Sequence, residues 1–463
     1  MQAAVTKDLA QFVHEMIAAD VPAEAEAIVA SGFIDTIGVM LAGADEPVVE
    51  ILARTIGASD GGGADGRARA CLSDLRLDAP QAALLGGTAA HALDYDDVAM
   101  SSHPSAVLVP AILAEGEALR ASGRELVAAY VAGYEVWADL FARDRDYHRK
   151  GWHPTAIFGP IAAAAAACVL RRLSTSQTVN ALALAASHAG GLVVNFGTMT
   201  KPYHAGRAAQ DGLLSARLAQ NGMTASADAL EHAQGFLAAV SPAGAVDRSR
   251  AVEAGRPWAI LRQGLNVKRY PTCYATHRSI DAMIDLAAAN DLQAGEIASI
   301  EVTMGVTQAS ALRNSRPATG LEAKFSEEFA MASAIVHRRV GLRELTDATA
   351  VDEQVRSLYP RVTVRTVDEH DPSDPTFSPT EDVVVTLTDG RVLEARGIRY
   401  AKGHARNALT RDELWAKFSD CAAARTTTET ARRLFDQLAG LADLRSAGDL
   451  VSVVPAKRRA RAA

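Results

Sequence analysis

The chain has 463 residues, 49% of them apolar, and a formal net charge of −8. That length exceeds the usual single hydrophobic core and predicts two domains, while the negative balance excludes a broad basic field for nucleic acid. Cys71, Cys168, Cys273 and Cys421 lie far apart without CxxC or Cys/His ligand spacing, which argues against a structural zinc site and a disulfide framework and fits a reducing cytoplasm.

The first residues, Met1 to Asp8, lack a basic region followed by an apolar run. No stretch reaches the roughly 18 apolar residues of a membrane span, so a soluble, cytoplasmic chain is expected. Apolar residues then recur at helical spacing as far as about Leu218, with Phe33, Ile34, Ile37 and Leu41 marking one helix. The loop Gly57 to Gly66 contains Gly61-Gly62-Gly63 but follows no strand and leads to no Lys-Ser/Thr, so it reads as a connection rather than a phosphate cradle.

The first polar island is His91-Ala92-Leu93-Asp94-Tyr95-Asp96-Asp97-Val98, continuing to Ser102-His103-Pro104-Ser105. Continued as a helix, this stretch puts His91, Asp94 and Val98 on one face and points Asp96 and Asp97 elsewhere. Asp96-Asp97-Val98-Ala99-Met100 lacks the third carboxylate of a DDxxD diphosphate site, so no metal is expected. His103 sits in a loop that Ser105 would turn into the next helix as its N-cap; alone, it reads equally as a solvated histidine.

Leu126, Tyr130, Tyr134, Val136 and Leu140 mark a further helix, and Gly151-Trp152-His153-Pro154-Thr155 precedes an Ala-rich one that reads as a buried core helix from Ala156 to Leu170. A histidine or a substrate carboxylate at such a helix start would meet free N–H groups. A Thr155 cap with a spectator His153 fits the same string. Thr200-Lys201-Pro202-Tyr203-His204-Ala205-Gly206-Arg207-Ala208-Ala209 is rich in small residues that allow close helix packing, leaving Lys201 at the entrance as an anion or enolate partner. His204 reads as a structural hydrogen-bonder. Arg207 fits either a distal substrate carboxylate or a salt bridge along its helix.

Val267-Lys268-Arg269-Tyr270-Pro271-Thr272-Cys273-Tyr274-Ala275-Thr276-His277-Arg278 marks a change of texture. Its cations suit an acidic substrate, and a basic linker is the plainer reading. Beyond it Ile300 to Met304 alternates, Val362 to Val367 is rich in β-branched residues, and Asp382–Leu387, the Asp389-Gly390 turn and Arg391–Ala395 form a hairpin signal. Helical periodicity returns from Thr410, a predicted N-cap, with Leu414, Phe418, Leu434 and Leu438 on buried faces. Lys457 to Arg461 form a basic tail that reads as a solvated end. The predicted fold is mainly α with an α+β part: a large all-helical domain from residues 1–265 and 405–463, and a smaller inserted α+β lid domain, 266–404.

Taken in order, HALDYDDV with SSHPS, GWHPTA, TKPYHAGRAA, KRYPTCYATHRSIDA, AKFSEEFAMASAI and AKGHARNALT resemble the MmgE/PrpD family of 2-methylcitrate dehydratases, cis-aconitate decarboxylases and iminodisuccinate epimerases. The resemblance covers almost the whole chain. It implies a cofactor-independent homodimer with the site between its domains and chemistry at a carbon next to a carboxylate. Matching positions for catalytic residues are Asp94, His103, His153, Lys201 and Lys268. Val98 stands where a Thr is expected, Cys273 where a His is expected and Phe329 where a Tyr is expected; His277 belongs to a variant form of its motif and partly replaces the missing imidazole.

The implied reaction is dehydration of a small hydroxy di- or tricarboxylate, with epimerisation of a dicarboxylate second, decarboxylation of a cis-aconitate-like acid third, and a non-catalytic binder of the same fold as the remaining alternative. His103 and His153 are expected to titrate near neutral pH and to share the acid and base roles, with Asp94 fixing the tautomer of one imidazole.

Overall fold

The computed structural model describes residues 4–58, 67–144, 147–241, 245–372 and 376–453. The Gly61–Gly63 run and the basic tail lie outside them. The chain divides into two compact units, one made of Met1–Asn266 and Thr410–Ala463, the other of Val267–Leu409. The first is helical; the second combines helices with a small sheet.

Local signals start the helices of the first unit. The Ser122 hydroxyl accepts from the Glu125 N–H while the Glu125 carboxylate accepts from the Ser122 N–H, a capping box that opens Gly123–Ala142. Ser174 and Gln177 repeat the device at Thr175–His188, and Thr410 with Glu413 at Arg411–Ala422. At the centre runs Pro154–Leu170, buried along its whole length and packed against Gly123–Ala142, Thr175–His188 and Thr200–Gln220.

One described helix, Ala23–Gly43, is long and apolar enough to cross a membrane by length and composition. It is nevertheless a core helix. Its Asp35 is fully buried and lies 2.5 Å from Lys417 Nζ on the returning Arg411–Ala422 helix, which packs along it. An ion pair of that kind belongs in a protein interior rather than in lipid.

A very close crossing joins Ala79–His91 to Thr200–Gln220. A Cβ at Gly206 would fall 2.2 Å from the Leu84 carbonyl oxygen and from the Thr88 hydroxyl, and one at Gly87 would fall 2.8 Å from Gly206 Cα. Only glycines permit this approach. It brings the C-terminal end of one helix beside the N-terminal end of the other.

In the second unit the strands run in the order Val362–Val367, Ile297–Gly305, Glu381–Leu387, Val392–Ile398, with the first pair parallel and the others antiparallel. Ile300 pairs with Val385 and Val302 with Val383. These side chains lie on the buried face and join the core with His277–Asn290 and Glu327–Val336.

Candidate active site

The helix Ala79–His91 ends at His91, and three residues later Asp94 takes a left-handed conformation with φ 52°. Asp is among the few residue types that tolerate this region. The chain therefore turns back instead of continuing as a helix, and Met100 and Ser101 are also left-handed. Asp96 is brought back onto His91, so the helical face that groups His91 with Asp94 and Val98 does not form. Val98 instead makes a two-residue antiparallel bridge with Asn266, with both N–H···O bonds 2.9 Å long.

His103 and His153 occupy equivalent places. Each is the N-cap of a helix whose first residue is proline, Pro104–Leu119 and Pro154–Leu170, where the missing proline N–H costs nothing. Neither Ser105 nor Thr155 is the cap. Ser105 Oγ lies 2.6 Å from the Tyr130 hydroxyl, and Thr155 Oγ1 accepts from the His103 N–H at 3.2 Å, tying the two histidine segments together.

One buried carboxylate organises the imidazoles. Asp96 Oδ1 lies 3.0 Å from His91 Nδ1, and Asp96 Oδ2 lies 2.8 Å from His103 Nδ1. The His91 and His103 rings are 4.4 Å apart between centroids, and His91 stacks on His153 at 5.9 Å. His153 Nδ1 is 3.1 Å from His204 Nδ1. On the other side Lys201 Nζ lies 2.6 Å from Asp94 Oδ1, and that same oxygen is 3.9 Å from His103 Nε2.

Burial opposes ionisation of Asp96, but its interactions with His91 and His103 outweigh burial and hold its carboxyl well below the usual range. Burial pushes His91 down to about 4 despite Asp96, so the His91 ring is neutral at pH 7. His153 is likewise lowered well below its ordinary value, by burial first and then by the neighbouring imidazoles and Lys201. That corrects the expectation that His153 titrates near neutral pH. Burial also lowers His204 to about 4. Asp97, next to Asp96 in sequence, goes the opposite way: burial and then the charge of Asp35 push it well above the usual carboxylate range.

Sequence reasoning gives Asp94 the tautomer or orientation of one imidazole; in the structure Asp94 pairs with Lys201 and lies 3.9 Å from His103 Nε2, while Asp96 lies against Nδ1 of both His91 and His103. It also passed over Phe196, whose ring lies 4.9 Å from the His153 ring, 6.0 Å from that of His148 and 5.1 Å from Lys201 Nζ. Nothing in the string Val194-Asn195-Phe196-Gly197 signals that role, because an apolar residue in a connection has no periodicity to betray its contacts. His204 is the hydrogen-bonding partner expected of it. Arg207 is paired with Asp211 at 2.9 Å and with Gln210, both on its own helix.

The remaining candidates belong to the second unit. Lys268 is buried to 2% exposure. Cys273 is half-buried, forms no disulfide, and its N–H donates to the Lys324 carbonyl. His277 is fully buried between Tyr270 and Tyr274, with Nε2 3.4 Å from the Thr272 carbonyl. Phe329 is a core residue with no exposed surface. It acts there through packing and not as a surface open to a ligand.

His91, Asp94, Asp96 and His103 place one potential metal-ligand atom each within 4.8 Å of one another. The donor chemistry does not favour a cation there. Asp96 is engaged by two imidazole N–H groups and Asp94 by the Lys201 ammonium, so a metal would have to displace all three and share the space with a lysine.

The MmgE/PrpD N-terminal domain matches residues 7–249 and the MmgE/PrpD C-terminal domain matches residues 270–440. The chain belongs to the MmgE/PrpD family. Among curated members of the family, it is 28% identical over 397 residues to the cis-aconitate decarboxylase of Homo sapiens, covering 82% of this chain and 80% of that one. The Mus musculus cis-aconitate decarboxylase is 28% identical over 80% of this chain and 77% of its own length. A cis-aconitate decarboxylase-like protein, oryM, of Aspergillus oryzae (strain ATCC 42149 / RIB 40) is 24% identical over 97% of both. These relatives make this MmgE/PrpD member a lyase-type enzyme.

Proposed function

We propose that this enzyme removes a proton from the carbon next to a carboxylate of a small hydroxy di- or tricarboxylate and eliminates water. The observation that carries the reading is how exposure is divided within the cluster. His103, Asp94 and Lys201 side chains keep 12%, 14% and 10% of their surface, whereas His91 and Asp96 keep none. The accessible groups are a base and a cation; the inaccessible ones orient them.

In this reading His103 Nε2 takes the Cα proton. Lys201 stabilises the enediolate charge that develops on the adjacent carboxylate, and Asp94 holds the ammonium in place. The imidazolium then gives its proton to the departing hydroxyl, so water leaves and His103 returns to its starting state. His153, neutral at pH 7, serves as a hydrogen-bonding wall of the site.

A second reading, decarboxylation of an unsaturated tricarboxylate, is favoured by the similarity to cis-aconitate decarboxylases. It passes through the same kind of enediolate, formed by loss of CO2, and there His103 must enter as the imidazolium, give its Nε2 proton to the carbanion and regain one from solvent.

Incubation in D2O with citrate-like and malate-like hydroxy acids and with a cis-aconitate-like acid, followed by 1H NMR and CO2 trapping, separates these. Dehydration gives new vinylic signals with every carboxylate retained. Released CO2 replaces it with the second reading, and deuterated substrate diastereomers without loss of a group mark an epimerase. Turnover of none of these acids overturns the proposal.

A further inference from the structure

Two imidazoles share Asp96, and the geometry fixes which nitrogen of each carries a proton. His103 Nδ1 lies 2.8 Å from Asp96 Oδ2 and 3.1 Å from the Asp97 carbonyl oxygen. An ionised carboxylate and a peptide carbonyl are both acceptors only, so Nδ1 must be the protonated nitrogen. His103 Nε2 is then a bare lone pair on the side of Asp94 and Lys201. His91 Nδ1 lies 3.0 Å from Asp96 Oδ1 and 3.2 Å from Oδ2, while its Nε2 is buried with no hydrogen-bond partner among the described residues. A buried bare nitrogen is tolerable as a lone pair and costly as an N–H donor, so His91 is also the Nδ1–H tautomer.

We propose that Asp96 is the positioning residue of the site: its single buried carboxylate accepts Nδ1–H from both His91 and His103 and so presents the Nε2 lone pair of His103 to substrate. This deepens the functional reading above and rests on it for the identity of the base. His91 is the counterweight. Held against Asp96, tilted against the His103 ring and stacked on His153, it keeps the carboxylate from rotating away. The charged and titratable groups facing the pair are Asp94, Lys201, His153 and Asp97.

Asp96→Asn keeps the shape of the side chain but not its chemistry. An amide has one acceptor oxygen and one donor nitrogen, so it satisfies only one Nδ1–H, and the other ring must switch to Nε2–H. The two rings are not equal in this. An Nε2–H on His91 finds no partner among the described residues, whereas an Nε2–H on His103 faces the Asp94 carboxylate 3.9 Å away. The Asp97 carbonyl, 3.1 Å from His103 Nδ1, opposes a switch there, but a buried Nε2–H on His91 without an acceptor costs more, so His103 is the ring that switches and its lone pair turns away from substrate.

Long-range 1H–15N correlation spectra of the full-length, 15N-histidine-labelled protein read the tautomers directly, with His103→Gln used to assign the His103 resonances. The expected result is Nδ1–H on His103 in the unaltered protein and Nε2–H in Asp96→Asn. With the polycarboxylate that is turned over, kcat falls about 10²- to 10⁴-fold in that variant while KM changes little. An Nε2–H tautomer in the unaltered protein overturns the proposal even if the variant does not fold, and so does an unchanged His103 tautomer in a folded Asp96→Asn. The spectra need no substrate, so a failure of the proposed reaction leaves them able to decide the role of Asp96 separately.

Discussion

Asp94 and Lys201, 107 residues apart in sequence, meet at 2.6 Å between carboxylate and ammonium. The pair is partly accessible, so its energetic weight in folding is small, and its weight in catalysis is where a cation meets developing negative charge. Lys201→Met is expected to lower kcat/KM by about 10²-fold or more with an unchanged urea midpoint. Steady-state kinetics beside a denaturation curve checks this; loss of stability without loss of rate would make Lys201 structural.

Adjacent acids should respond in opposite ways. Burial and the charge of Asp35 push the Asp97 carboxyl well above the usual range and favour its neutral form, so Asp97→Asn is expected to change stability by no more than about 1 kcal/mol. Lys417→Met leaves Asp35 buried without its partner at 2.5 Å and is expected to cost about 3–5 kcal/mol. Chemical denaturation of the two variants at pH 7 measures both.

The neutral histidines give the first unit an acid-sensitive stability. His91 and His204 are each lowered by burial from 6.5 to about 4, so the unfolded chain takes up protons first as pH falls. Their stabilisation is complete above about pH 6.5 and is lost progressively toward pH 4. For fully buried His91 alone the change approaches about 3 kcal/mol. The urea midpoint is expected to fall steadily between pH 7 and pH 5, and a flat profile would refute the neutral assignment.

Chelation tests the donor argument. With Asp96 committed to two imidazoles and Asp94 to an ammonium, prolonged dialysis against EDTA is expected to leave activity within about twofold. Loss of activity restored by a specific divalent ion would show that these groups rearrange to bind a metal.

Much of the fold was legible because its signals are local. The Asp389-Gly390 turn lies between strands that pair Val385 with Leu393, and Glu381–Leu387 alternates strictly between buried and half-buried positions, as a period of two requires. Thr410 with Glu413 spelled its own capping box. The site was legible as a set of residues and not as an arrangement. A helical wheel applied to His91–Val98 fails once Asp94 turns left-handed, and that turn exchanges the tasks of Asp94 and Asp96. The protonation of Asp97 depends on Asp35, 62 positions earlier, and on Lys417 near the far end of the chain, which no local pattern carries.

The meeting of Gly87 with Gly206 has a consequence for how such an enzyme can diverge. Because two main chains touch there, the separation of Asp94 and Lys201 is a property of the scaffold rather than of the side chains around them. Substitutions at wall positions such as Phe196 can therefore alter which acid fits without moving the reacting groups. One added methyl at Gly206 would displace the lysine for every substrate at once. On the proposed mechanism, selectivity and reactivity then sit at separate addresses in this chain, and mutations could reach one without disturbing the other.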